Sequence, residues 1–344
     1  VILPRFDVLV PATLTEASEM LREHAEKSVR ILAGGTDLLV DLRKAIIPQH
    51  VPRCEGCSSH PKGMVRSTID CSLWDSEPLA DAGGSLRKAL SNLQKGSPDY
   101  LLSLHKINEL KGICKLDDGG WRIGALTTIK EIERSPQLRS SLTALAEGAD
   151  NLGSPLVRNR GTIGGNIANA RPAADLAVPT IGLGGTLVIK GLEKARSIFA
   201  KDFPKGPGIT DLCPGEILTF ITFPPTLPFS GSAYYKLANR KALEISTVGV
   251  SVWLSMAEPG GPILDARVSL GAVGPTPILA ESARNCLLGK TPSDALYREA
   301  AKAASNDARP IDDHRGSAWY RLMMVEKLTE RLLNVAFKRA MENK

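Results

Sequence analysis

Two short strings in this chain combine bare backbone with hydroxyl and amide side chains. The first, Gly34-Gly35-Thr36-Asp37, follows the apolar run Val29-Arg30-Ile31-Leu32-Ala33 and precedes Leu38 to Arg43, which reads as a helical turn. Glycine lacks a Cβ, so the backbone can turn with φ > 0 and an anion can come close to its N–H groups. A row of such groups makes a concavity for phosphate. The string is neither a Walker loop nor the GxGxxG of a dinucleotide fold. The second, Thr162-Ile163-Gly164-Gly165-Asn166, repeats the chemistry: its glycines expose amides, and Thr162 and Asn166 can bond a sugar or phosphate. Asp175 follows within reach of a ribose hydroxyl, or else caps a helix started by Pro172 and Ala173. A double glycine after a strand is, by itself, more often a plain turn. Two of them on separate strands could grip the two halves of one pyrophosphate.

A third constellation is Cys54-Glu55-Gly56-Cys57 followed by Cys71. A CxxC pair sets two thiolates on one turn, a spacing suited to zinc or an iron–sulfur cluster. Four ligands are expected, and His60 could be the fourth, or Cys114 could return from the core. A 4Fe-4S cluster, zinc and no metal all stay open at this point. An ordered cluster would account for the stretch from about Pro48 to Pro98, which is rich in Pro, Gly and Ser and has little apolar periodicity. Cys213 and Cys286 read as ordinary buried or loop residues. No nucleophile–base constellation of the Ser–His–Asp kind is visible, and the five histidines are scattered, with His105 packing or capping. That pattern leaves no acid–base machinery of the chain's own, so any chemistry here is more easily carried by a bound cofactor.

The elements that must hold these strings are legible in outline. Thr13 or Thr15 can cap a helix whose Ala17, Met20 and Leu21 recur at helical spacing. Alternation at Tyr100 to Leu104 and the short run Trp121 to Ala125 predict strands, and Thr128 caps a helix containing Ile129, Ile132 and Leu138. A helix from Leu142 to Leu152 leads into the second glycine string, and strands follow at Thr186 to Ile189 and Ile217 to Phe223. Pro224 to Pro228 reads as a linker. Beyond it come strand candidates at Ala233 to Leu237, Thr247 to Met256 and Ala266 to Val273, then helices, the last long and amphipathic from about Ala318 to Met341. Strands followed by helices predict a separate α+β domain.

Bulk properties narrow the function. A chain of 344 residues with 43% hydrophobic and 23% charged residues makes two or three compact units. The net charge of +6 is spread among interspersed acids and bases with only 5% aromatics, which argues against a nucleic-acid binder. No apolar run reaches the roughly 18 residues of a membrane span. Val1 to Thr15 lacks the pattern of a secretory signal, and six cysteines are too few for a disulfide scaffold, so the expected location is the cytoplasm.

The strings Ile31-Leu-Ala-Gly-Gly-Thr-Asp-Leu38 and Gly161-Thr-Ile-Gly-Gly-Asn-Ile-Ala-Asn-Ala-Arg-Pro-Ala-Ala-Asp-Leu176 resemble the FAD signatures of the molybdenum hydroxylase flavoproteins. That family includes the medium subunit of carbon monoxide dehydrogenase and the flavin part of xanthine dehydrogenase. The resemblance continues at Gly271 to Pro277 and at Pro310 to Tyr320, leaving out only about Pro48 to Pro98. It implies an α+β chain: a two-subdomain vanillyl-alcohol-oxidase-type FAD-binding module over 1–228, divided near 110, and a smaller C-terminal α+β domain over 229–344. It implies a non-covalent FAD whose pyrophosphate and adjoining groups lie on Ile31, Leu32, Ala33, Gly34, Gly35, Thr36, Asp37, Leu38 and on Thr162, Ile163, Gly164, Gly165, Asn166. Asp175 would bind a sugar hydroxyl, Leu152 and Leu218 would line the flavin cavity, and Lys236 would stand near the isoalloxazine as a cation favouring the anionic reduced flavin. Arg240 and Glu244 occupy places where the family often has Arg and Asp. One relative, 4-hydroxybenzoyl-CoA reductase, looks similar in carrying an extra 4Fe-4S cluster on an insertion, but after its second glycine turn. The implied role is an electron-transfer subunit working with a molybdenum-cofactor large subunit and a 2Fe-2S small subunit, and exchanging electrons with NAD, oxygen or a ferredoxin-like carrier. The rivals are a stand-alone flavin oxidase of the wider class and a zinc-bearing assembly subunit.

Overall fold

The structure, a computed structural model, describes residues 5–46, 98–240 and 242–343. Its first sheet is parallel: β1 (Asp7–Leu9), β2 (Val29–Leu32) and β3 (Tyr100–Ser103) lie in the order β1-β3-β2. Between β1 and β2 runs helix α1 (Leu14–Glu23). Thr13 starts it by accepting the Glu16 N–H at 3.2 Å. Leu14 and Ala17 then bury one face against Leu102, Leu104 and Ile107. The run ending at Ala33 has the look of a buried strand, yet β2 is only half-buried along its length. β3 occupies the middle of the sheet and leaves β2 at its edge.

The second sheet is antiparallel, with β4 (Ile113–Lys115), β5 (Trp121–Gly124), β6 (Thr186–Lys190), β7 (Ala195–Phe199) and β10 (Ile217–Phe223) in the order β4-β5-β10-β6-β7. A small hairpin, β8 (Pro204–Gly206) and β9 (Ile209–Thr210), precedes β10. Ile217 and Leu126 reach into the core of the first sheet, so the two sheets share packing. After β5 the sequence pattern predicts one helix through Ile129, Ile132 and Leu138. Two form instead, Ile129–Arg134 and Pro136–Ser141. Pro136 has no N–H with which to continue the first, and the Ser135 hydroxyl caps the second by accepting the Leu138 N–H.

The third sheet is the meander β11 (Ser230–Leu237), β12 (Val248–Met256), β13 (Ile263–Gly271) and β14 (Ile278–Leu279). Its period of two assigns two faces. Val248, Val250, Val252 and Leu254 point to a core shared with Leu332, Leu333 and Ala336 of the long helix Ala318–Glu342. Ser251 and Ser269, paired in register, point the other way. There Ser269 donates to the Val178 carbonyl at 2.7 Å, holding the short helix Ala177–Gly182 against the sheet.

One capping box positions the second glycine string. Thr128 Oγ1 accepts the Glu131 N–H at 3.2 Å, and Glu131 Oε2 accepts the Thr128 N–H at 2.7 Å. With its backbone so held, Thr128 bridges Thr162, and the Ile129 N–H donates to the Gly161 carbonyl at 2.9 Å. Thr128→Ala removes the box and is expected to lower stability by about 1 kcal/mol. Urea unfolding measures this, and an unchanged midpoint would show that the box is dispensable.

Candidate functional site

The first glycine string turns directly off β2. Gly35 takes φ +76°, where a side chain would also meet Leu32 and Leu39 at 3.1–3.2 Å. Its carbonyl accepts the Leu39 N–H at 3.2 Å and opens helix α2 (Leu38–Ile46). Among the described residues, the backbone N–H groups of Gly34, Gly35 and Thr36 donate to no protein acceptor. Three unspent donors in succession after a strand suit the oxygens of a phosphate.

The second string is built differently from the expected open turn. Ile163–Ala168 is a helix whose N-cap is Thr162. The Gly165 N–H goes to Thr162 Oγ1 at 3.1 Å, the Gly164 N–H to the Ala125 carbonyl at 2.9 Å, and the Ile163 N–H to the Thr127 carbonyl at 3.1 Å. The expectation that both strings expose glycine amides is therefore corrected: those of the second are consumed by cap and sheet. Its glycines serve close approach instead. A Cβ on Gly164 would stand 2.6 Å from the Ala125 Cβ. A Cβ on Gly34 would overlap the Arg160 carbonyl and stand 2.9 Å from the Gly161 Cα. The two strings are thus in backbone contact, with Ala33 beside Gly165 and Thr36 Oγ1 beside Gly161.

Asn166 ties this contact to the third sheet. Its Oδ1 accepts the Leu176 N–H at 3.0 Å, which fixes the neighbouring Asp175. Asp175 caps no helix: the following helix, Ala177–Gly182, has Leu176 at its N-cap and no side-chain cap bond. The Asp175 carboxylate is 8% exposed and takes three donors. Lys236 Nζ reaches Oδ2 at 2.7 Å, Ser246 Oγ reaches Oδ1 at 2.7 Å, and the Tyr234 hydroxyl reaches Oδ1 at 3.3 Å. Burial pushes the Asp175 carboxyl up, against the pull of Lys236 and the two hydroxyls. Burial and the Asp175 charge push the Tyr234 hydroxyl well above its ordinary range. Lys236 also donates to the Asn151 carbonyl at 3.3 Å. Its ammonium is therefore half of a buried ion pair with Asp175. The edge of β11 is closed by Glu147, which accepts the Tyr234 N–H at 2.7 Å and the Arg339 guanidinium at 2.6 Å.

Leu152 and Leu218 are both buried in the core that includes Ile163 and Ile167. Arg240 and Glu244 pair with each other at the surface. Cys54, Cys57, His60 and Cys71 lie outside the described residues. Cys114 is exposed on β4, its thiol 3.4 Å from the Lys115 carbonyl, and Cys213 is exposed as well. Among the described residues no three His, Cys, Asp or Glu side chains gather as metal ligands. Sequence reasoning missed Ser246, Glu147 and the part Tyr234 plays. The period-two spacing of Tyr234 and Lys236 on one strand could have flagged the tyrosine; nothing in the sequence flags the other two.

Residues 79–226 match the family described as the FAD binding domain in molybdopterin dehydrogenase, and residues 233–336 match the CO dehydrogenase flavoprotein C-terminal domain. The glyceraldehyde dehydrogenase medium chain of Sulfolobus acidocaldarius is 34% identical over 74% of this chain and 88% of its own length. The chain belongs to the molybdenum hydroxylase flavoprotein family. The xanthine dehydrogenase FAD-binding subunit of Escherichia coli O157:H7 is 30% identical over 94% of both chains. Among solved structures, carbon monoxide dehydrogenase from Hydrogenophaga pseudoflava superposes with a TM-score of 0.79 at 29% identity, covering 98% of this chain and 99% of that one. The FAD-binding domain is followed by the family's C-terminal domain, as the resemblance implied. The Gly34 string lies ahead of the matched 79–226 segment.

Lys236→Met leaves Asp175 buried without its cation and is expected to cost about 3 kcal/mol or more. The double variant Asp175→Asn/Lys236→Met should recover part of that loss in the same urea titration. A Lys236→Met protein as stable as the parent would contradict the pairing.

Proposed function

We propose that this chain holds one non-covalent FAD at the contact of the two glycine strings and relays electrons between a partner's iron–sulfur clusters and an external carrier. The observation that carries this is the set of unspent Gly34, Gly35 and Thr36 amides lying against the Arg160–Gly161 backbone. The chain's own residues divide the work. Residues 31–38 present donors to the diphosphate, and the capped helix Ile163–Ala168 supplies the opposite wall through Thr162 to Asn166. Asp175 offers a carboxylate to a sugar hydroxyl, and Leu152 and Leu218 bound the ring cavity with apolar surface that excludes water. The Lys236–Asp175 pair closes the site from the C-terminal side with almost no net charge. FAD, when bound, supplies two-electron and one-electron redox chemistry that no side chain here can supply.

In this reading the module spans 1–228 and the C-terminal domain 229–344. The partners are a molybdenum-cofactor large subunit and a 2Fe-2S small subunit, with NAD or a ferredoxin-like protein as the outer carrier, all in the cytoplasm. No described helix is long and apolar enough to cross a membrane. For the Cys54, Cys57 and Cys71 set, with His60 or Cys114 as fourth ligand, the reading is a 4Fe-4S cluster, with zinc and no metal as the alternatives. Iron per chain in the anaerobically purified complex, with and without Cys54→Ser, decides between them: loss of about four irons is expected, and an unchanged iron count removes the cluster.

Titration of the deflavinated complex with FAD, followed by flavin fluorescence, tests the site itself. One FAD should bind per chain. Gly34→Ala forces the two strings apart and should weaken binding by at least about tenfold, the scale of one lost charge-assisted hydrogen bond. Binding unaffected by Gly34→Ala would rule out the pyrophosphate position.

A further inference from the structure

The Asp175 carboxylate sits where the FAD-binding domain meets the C-terminal domain, and most of its partners come from the latter. Tyr234 and Lys236 are on β11, two residues apart and so on one face of the strand. Ser246 lies just before β12, beside Val248 and its hydrogen-bonded neighbour Leu237. An ionised carboxylate offers roughly four lone-pair sites. Ser246 and Tyr234 take the two on Oδ1, and Lys236 takes one on Oδ2. Among the described residues one acceptor direction is left, on Oδ2 beside the Lys236 ammonium.

Those three donors fix the carboxylate from three directions, while Asn166 fixes its backbone through Leu176. Ser246 and Asp175 are both less than a tenth exposed, so neither bond is exchanged with water. Removing Ser246 would free Oδ1 to turn and leave a buried acceptor short of a donor. The glycine strings would keep their own bonds, because among the described residues the Ser246 hydroxyl donates to Asp175 and to neither string.

We infer that Ser246 and Tyr234 are positioning residues for the flavin site: they orient Asp175 so that its one remaining acceptor faces a flavin sugar hydroxyl. The C-terminal domain thereby sets FAD affinity without itself contacting the diphosphate. Ser246, at 2.7 Å, carries more of this than Tyr234, at 3.3 Å. The inference rests on the FAD reading above and adds to it residues that no signature string contains.

The test is FAD binding to the deflavinated complex by fluorescence, in a double-mutant cycle. Ser246→Ala should raise the Kd roughly five- to tenfold, the size of one ordinary hydrogen bond, because the lost bond acts on FAD only through Asp175, and Tyr234→Phe should raise it less. On an Asp175→Asn background Ser246→Ala should add almost nothing, because its effect passes through the carboxylate. The pH profile supplies a readout that general loosening would not move. The titratable groups facing Asp175 are Lys236 and Tyr234, and both hydroxyl donors favour the carboxylate over the acid. Their loss raises the Asp175 pKa, so the fall in FAD affinity on acidification should begin at higher pH in Ser246→Ala than in the parent. Additive losses in the cycle, or an unshifted acid limb, overturn the inference. If the parent itself takes up no FAD, it is the reading of the glycine strings that fails; if the parent binds and Ser246→Ala binds equally well, only the positioning role fails.

Discussion

The backbone of Gly34 lies so close to the Arg160 carbonyl and the Gly161 Cα that no methyl group fits between them. Everything around the candidate site follows from that approach. It joins the end of a parallel sheet to the start of a helix in an antiparallel one, two elements far apart in sequence. Gly34 must be free of a side chain here, and a Cβ on Gly161 would meet Ile129 and Val157 on the other side. β2 and helix α2 hold one side, through the left-handed turn at Gly35. The Thr128 capping box and the bond from Ile129 to Gly161 hold the other. Packing of this density transmits displacement, so features as remote as the Thr128 cap bear on the geometry of the amides.

The two strings look alike as text and work differently as structure. In the first the amides are unspent and the glycines give the turn its conformation. In the second the amides are spent on Thr162, Ala125 and Thr127, and the glycines give room. In the proposed reading one string is the ligand surface and the other a wall against which that surface is held. The division has a physical economy: donors already bonded within the fold stiffen one string, and the donors of the other stay unspent.

The seam between the two domains joins apolar packing of Tyr234, Trp253 and Leu279 to several polar bonds. Asp175 with Lys236, Glu147 with Arg339, and Ser269 with the Val178 carbonyl all cross it. Buried polar groups favour one geometry because any other leaves them unsatisfied. Small residues on that face of the third sheet, Ser251 and Ser269 against Gly182, bring the backbones close enough for these bonds to form. The polar bonds across the seam favour one register over sliding.

Local order was legible wherever a short-range rule decided it. Thr13 and Thr128 cap the helices they announce, β10 and β12 form where their apolar runs predict strands, and the long C-terminal helix runs nearly as its apolar stripe predicts. The break at Pro136 also obeys a local rule, though the apolar spacing across it masked the stop. The motif strings pointed to the family and to the cofactor class. Long-range arrangement decided the rest. That β2 is an edge depends on where β3 inserts, and no residue of β2 encodes that. That Gly164 is spent on Ala125 depends on β5 arriving beside it. That Lys236 is paired depends on the third sheet docking on Asp175. Sequence by itself determined the elements, their caps and the presence of two bare-backbone strings, because these rest on interactions a few residues apart. Only the tertiary structure decided which amides stay free and which charges meet, because a hydrogen-bonding group is spent by whatever partner the fold brings to it.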